Sequence, residues 1–313
     1  MDTGRGTGLA RWAVVLFAAI SSLAPAGIAA PPGALVSPTA RPEFALRYWT
    51  PARFESARPA APVVVEDPAP AAIAYRDYPF KFTRRAFKGS PRAMPASTMG
   101  RVFFTNTATG AQSTCSGVAV NSANLSLVLT AGHCVHSGPG GSWHSNWVFV
   151  PGYRDGAAPH GVWAATLLGT HSAYSATGDH RFDVGLATVA PKSGRKLVSV
   201  VGGQGITFSA EPRGWHRVFG YAFRPDRLRA RRLQVCSGPF GRIDGADAGG
   251  AVAVGMGCDL AGGISGAPWI RDFERTGGFV DGVASYKYRS QPKALYGPHL
   301  GPAAYGVYEL MGG

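Results

Sequence analysis

A chain of 313 residues with 45% hydrophobic and 16% charged residues can bury a sizeable core, which excludes a disordered or coiled-coil protein. Its 43 glycines, with little helical periodicity, point to a turn-rich all-β domain. A formal net charge of +13 raises anionic partners as a question, but no DNA-binding motif accompanies that charge.

The first 30 residues read as an export signal. Arg5 and Arg11 precede the apolar run 12–23, too short to span a bilayer, and small residues at 26–30 offer a cleavage site. The product is expected to be secreted, extracellular or periplasmic, with no membrane attachment once the signal is cut. Such a compartment permits disulfides, and the four cysteines are an even number.

Residues 31–96 are rich in Pro, Ala and Arg, as in Pro59-Ala60-Ala61-Pro62, and lack the periodic apolar faces of a core. They are expected to be extended or disordered, as a pro-segment or a linker. Arg84-Arg85 and Arg92 offer sites for maturation cleavage.

From residue 97 onward the pattern is β-like. Strands are predicted at 101–106, 116–120, 125–130, 147–150, 161–165 and 183–189. Further strands are predicted at 217–221, 232–236, 267–270 and 279–286, separated by Gly, Pro, Asn and Asp. Short strands at such spacing fit a sandwich or a pair of barrels.

Three positions carry chemistry. His133 ends the buried run Leu127-Val128-Leu129-Thr130-Ala131-Gly132-His133-Cys134, so its ring can be aimed. Asp183 stands at the lip of an apolar strand 50 residues later, whereas Asp179 reads as a turn residue. Ser265, a further 82 residues on, lies in Gly262-Gly263-Ile264-Ser265-Gly266-Ala267-Pro268. A turn that tight exposes a hydroxyl and lets the N–H groups of Gly263 and Ser265 converge on an oxyanion. A zinc site through His133, Cys134 and His136 is the competing reading, weakened by the lack of any Cys-x-x-Cys pair.

Thr130-Ala131-Gly132-His133-Cys134, Asp183-Val184-Gly185-Leu186 and Gly263-Ile264-Ser265-Gly266-Ala267-Pro268, in this order, resemble the trypsin/chymotrypsin-like serine peptidase superfamily. The nearest likeness is to the bacterial secreted branch that includes glutamyl endopeptidases. The resemblance implies two six-stranded antiparallel β-barrels over 97–313 with a catalytic cleft between them. It further implies a secreted serine endopeptidase using Ser265 as nucleophile, His133 as base and Asp183 as its orienting acid. Ser285 would support Asp183, and the backbone at Ser285 and Tyr286 would pair with substrate. The resemblance favours disulfides Cys115–Cys134 and Cys236–Cys258 among the three possible connectivities. Asp259, six residues before Ser265, stands where trypsin-like enzymes place a carboxylate for Arg or Lys side chains, although it could equally cap a turn.

The likeness has departures. Gly132 replaces an alanine, Ala267 replaces a glycine, and Ile264 replaces the aspartate that pairs with a new N-terminus in animal zymogens. They leave a catalytically weak homologue acting as a binding module as the alternative function. An α/β-hydrolase esterase is rejected, because that fold needs helices before its serine and acid and histidine after it. No cofactor or metal is expected. The partners are protein or peptide substrates, met by a monomer. The basic run 224–232 lacks interleaved aromatics and reads as a solvated loop rather than a nucleic-acid site.

Overall fold

A computed structural model of the protein describes residues 1, 33–39, 41–60, 63–65, 80–225, 230–246 and 251–312. The predicted export signal beyond Met1 lies outside the described residues, as does 226–229 of the basic run. No helix among the described residues is long and apolar enough to cross a membrane.

The amino-terminal part contributes β1 (Ala34–Pro38), α1 (Pro42–Tyr48), α2 (Pro51–Ser56), β2 (Arg58–Pro59), β3 (Val63–Val65) and β4 (Thr83–Ala86). The first barrel is built from β5 (Met99–Thr105), β6 (Gln112–Val120), β7 (Leu127–Thr130), β8 (Ser145–Pro151), β9 (Trp163–His171) and β10 (Gly185–Val189), with α3 (Ser172–Thr177) and α4 (Leu197–Val201) on its loops. The second half holds β11 (Gly205–Ile206), β12 (Trp215–Gly220), β13 (Gln234–Ala246), β14 (Val252–Gly257), β15 (Pro268–Glu274), β16 (Gly277–Val283), β17 (Tyr286–Tyr288) and β18 (Ala294–Pro298), then the closing helix α5 (Pro302–Gly312).

In the first half the antiparallel order β9-β10-β7-β6-β5-β8 closes when β8 pairs with β9. The strands are buried on both faces, so alternate residues feed different clusters. Val102, Phe104 and Phe149 pack with Trp147 and Trp163. Phe103, Val148 and Leu129 face the rest of the molecule. In the second half β16-β15-β12-β13-β14-β18 curls into a half-barrel whose ends meet at one bridge, Gly282 to His299. The expected two-barrel architecture is present, with the first barrel closed and the second half open.

The described residues within 31–96 differ from the extended chain that their composition predicts. Pro42 and Pro51 start α1 and α2, and the Thr50 side chain caps α2 by accepting from the Arg53 N–H. Trp49, 5% exposed, stacks on Phe54, and both rings meet Phe103 of the first barrel. The indole N–H donates to the Asn146 carbonyl at 2.6 Å. β1 extends the first sheet beside β9, and β4 pairs with β13 of the second. Two aromatic side chains thus supply the apolar anchor that the Pro/Ala content conceals. Arg84 and Arg85, expected as accessible cleavage sites, lie inside β4 with their backbone in the sheet.

Candidate active site

His133 sits in a single 3-10 turn, Gly132–Cys134, directly after β7. The register of β10 on β7 sets Gly185 opposite Thr130, which brings Asp183 beside His133. Asp179 caps the turn before Asp183 and pairs with Arg181 at 2.6 Å. The Asp183 carboxylate accepts the His133 backbone N–H at 2.7 Å, lies 2.7 Å from His133 Nδ1, and accepts the Ser285 hydroxyl at 2.5 Å. Burial pushes this carboxyl up, but His133 and the hydrogen bonds from His133 and Ser285 outweigh that and hold it below its ordinary range. Because Nδ1 faces an ionised carboxylate, it carries the proton, and Nε2 is left as the basic nitrogen.

Ser265 is carried by a turn whose glycines Gly262, Gly263 and Gly266 all have positive φ. Gly266 is also a close-approach position, since a Cβ there would stand 2.1 Å from Thr130 Oγ1 and 2.4 Å from the Ser116 carbonyl. The turn is bolted to the first barrel. Ser116 N–H donates to the Ser265 carbonyl at 2.8 Å, and Ser116 Oγ donates to the Gly263 carbonyl at 2.8 Å.

Most buried polar groups are satisfied, and the exceptions include two atoms of this site. Ser265 Oγ and His133 Nε2 are both buried without a hydrogen-bond partner. The backbone N–H groups of Gly263 and Ser265 likewise have no acceptor among the described residues. A hydroxyl, a basic nitrogen and two N–H donors are the groups that a tetrahedral oxyanion adduct of a carbonyl would satisfy.

Solved structures of known function share this arrangement of strands. A crystal structure of the protease Anisep from Arthrobacter nicotinovorans matches 74% of this chain and 99% of its own, at 31% identity and TM-score 0.64. The thermostable serine protease AL20 from an extremophilic microorganism matches 69% of this chain and 96% of its own, at 33% identity and TM-score 0.61. The chain belongs to the chymotrypsin-like serine proteases. A Glu endopeptidase, 21% identical over 72% of this chain and 95% of its own with TM-score 0.58, shares the fold. No protein-family model and no curated protein matches the chain.

This protease has two disulfides, Cys115–Cys134 and Cys236–Cys258, and no free cysteine. The first clamps the histidine turn to β6. Cys115, His133 and Cys134 crowd within 4.8 Å, but both sulfurs are in the disulfide, so they cannot ligate zinc as thiolates. His136, the other residue of that reading, accepts the Gly138 N–H.

The departures of this protease from the family pattern have local causes. A Cβ on Gly132 would sit 2.8 Å from Asp183 Oδ1 and 2.9 Å from the Tyr174 ring, so the glycine leaves room for both. Ile264 is buried in the second half's core, and a Cβ on Gly220 would fall 2.5 Å from its Cδ1. Ala267 is buried beside Gly220 as well, so the space a glycine would leave is taken by its methyl group.

Tyr286 stacks on His180 at 4.7 Å, and its hydroxyl donates to Asp244. Asp259 does not touch the His133 cluster; it pairs with Arg84 of β4 at 2.9 Å. Of the basic run, Arg231 pairs with Glu55 at 2.6 Å and Arg232 with Asp155 at 2.8 Å.

Two contributors gave no signal in the sequence. His144 Nε2 donates to the His133 carbonyl at 3.1 Å while its ring stacks on Phe104, and burial pulls its pKa down to about 4. A neutral ring suits a nitrogen that must donate in an apolar wall. Lys287 is buried and donates to the carbonyls of Cys258, Pro292 and Ala294. Burial draws its pKa down to about 7, with Asp259 opposing.

Proposed function

We propose that this protease is a secreted endopeptidase working through Ser265, His133 and Asp183. The observation that carries the reading is the pairing of a fully engaged Asp183–His133 couple with an unpartnered His133 Nε2 and Ser265 Oγ. Nε2 takes the hydroxyl proton as Oγ bonds to the scissile carbonyl carbon, and the Gly263 and Ser265 N–H groups receive the oxyanion. His133 then protonates the departing amine as the C–N bond breaks, leaving an acyl ester on Ser265. Water, deprotonated by the same nitrogen, cleaves that ester and restores the hydroxyl. Asp183 keeps Nδ1 protonated and stabilises the imidazolium throughout.

In this reading residues 1–30 direct export, 31–96 accompany the enzyme as a pro-segment, and the mature enzyme is a monomer acting on proteins or peptides. The two disulfides fit an oxidising compartment. The pairing of Asp259 with the Arg84 guanidinium supports Asp259 as the acceptor of a basic substrate side chain. Asp259→Ala should then abolish any preference for Arg and Lys in a peptide library.

A fluorophosphonate probe tests the chemistry. Processed wild-type protein should label covalently, and Ser265→Ala and His133→Ala should not. A folded, processed protein that stays unlabelled overturns the proposal and leaves a binding homologue in its place.

A further inference from the structure

Ser265 has no exposed surface, a condition incompatible with attack on an incoming peptide. The chain's own amino-terminal segment lies along both flanks of the site. β2 runs parallel to β6, with Arg58 opposite Ser113 and Pro59 opposite Thr114, and the Ala60 N–H donates to the Thr114 carbonyl at 2.9 Å. β3 runs parallel to β17, with Val63 opposite Tyr286, Val64 opposite Lys287 and Val65 opposite Tyr288. Ala60 and Val63 are three residues apart, so their Cα atoms are within about 11 Å. The described residues on either side of 61–62 thus pair with the edge of the first half at β6 and with the edge of the second at β17, the strands next to the histidine turn and Ser285. Pro59 is at the nucleophile turn itself, 3.5 Å from the position of a Cβ on Gly262.

Direction decides what this contact can do. The amine released from a substrate leaves with the carboxy-terminal half of the peptide and takes its proton from His133. His133 belongs to the first barrel, and Cys134 beside it is bonded to Cys115, the neighbour of Thr114. The leaving half thus lies along Thr114, and the acyl half along Ser285 to Tyr288. A cleavable chain runs from the second barrel to the first, whereas here residues 58–60 lie on the first and the later residues 63–65 on the second.

Resting on the proposed endopeptidase reading, we infer that residues 58–60 and 63–65 lie in the two halves of the peptide-binding cleft in reverse direction, as an inhibitory segment that the enzyme binds and cannot cut. A reversed backbone places the amide nitrogen on the acyl side, away from His133 Nε2, so no proton can reach a leaving group. The same backbone takes the β17 edge that a substrate would need for strand addition. Trp49 and Phe54 on one side and β4 on the other tether the strand to both halves, which raises its effective concentration over any competing peptide.

The test compares fluorophosphonate labelling of the full chain, of the full chain carrying Ala60→Pro, and of protein from which residues up to 65 have been removed by a specific protease. Labelling should be slowest in the intact chain and about fivefold faster in Ala60→Pro, which lacks the N–H bound to Thr114, and fastest after removal. Equal rates in all three overturn the inference while upholding the enzyme. No labelling in any form overturns the enzyme reading, and a second measurement then judges the cleft. A peptide of residues 57–66 should bind the processed Ser265→Ala protein, and with active protein it should compete with substrate and be recovered uncut. Cleavage of that peptide, or failure to bind, overturns the inference.

Discussion

Each half of the molecule contains a histidine paired with a buried aspartate, and the two differ in one respect that matters. In the first barrel His133 meets Asp183 at 2.7 Å; in the second His216 meets Asp281 at 2.9 Å. Both carboxylates are almost wholly buried, at 0% and 1% exposure. His133 engages its carboxylate through Nδ1, so Nε2, the nitrogen farther from the backbone, is free to reach a substrate. His216 engages through Nε2, and its remaining Nδ1 is turned back towards its own backbone, buried and unpaired. Asp183 is further held by Ser285 and the His133 N–H, whereas Asp281 leaves Oδ1 unpartnered and has Arg271 and His299 at 3.9 Å. The contact alone does not leave a basic nitrogen in position to reach outward. The choice of ring nitrogen, and a serine with a glycine turn opposite, separate the two.

Exchanging the lesions would sharpen this contrast most. Asp183→Asn should lower kcat/KM by about 10⁴ through the wrong tautomer, with the processed protein still folded. Asp281→Asn should leave active-site titration of the folded protein unchanged. Its effect should appear in urea unfolding, as a loss of about 3 kcal/mol from a broken buried pair. A large kinetic defect in folded Asp281→Asn would erase the distinction.

A medium effect is expected at the disulfides. Replacing either Cys115 and Cys134 or Cys236 and Cys258 by alanine should cost about 3 kcal/mol, because the loops they close are similar in length, at 19 and 22 residues. Only the first pair should also slow labelling of Ser265, since only it clamps the histidine turn.

The smallest effect concerns Ser285. Ser285→Ala should lower kcat/KM about tenfold by removing one charge-assisted hydrogen bond. It also bears on acid stability. Asp183 is depressed in the folded state, so its contribution is complete above the ordinary carboxylate pKa of about 3.9 and is lost as pH falls through the lower folded value. Without the Ser285 hydroxyl the folded value rises, so that loss should be smaller and complete at higher pH, as followed by urea unfolding at a series of acid pH values.

The three turns that carry His133, Asp183 and Ser265 are legible because each depends on neighbours in sequence: an apolar strand, a glycine, one polar residue. Most first-barrel strands were legible for the same reason, since alternation and turn residues mark them locally. The strands β14 and β18 are not legible in this way because glycine and alanine dilute their pattern, and their partners lie far away in sequence. The amino-terminal segment escaped because its fold rests on Trp49 and Phe54 meeting Phe103, a contact that no window of local composition contains. His144 was opaque for a related reason: its function is to hold another residue's carbonyl, and spacing carries no trace of that.

Neither disulfide crosses between the halves: one lies within the first barrel, the other within the second. Each half can therefore be oxidised as a unit before the two are joined. His133 and Asp183 arise in one, Ser265 and Ser285 in the other, and the Ser116 contacts to Ser265 and Gly263 are formed when the halves dock. A chain in which only the first barrel has folded therefore lacks the serine turn, and one whose halves have not docked lacks the Ser116 contacts that anchor it.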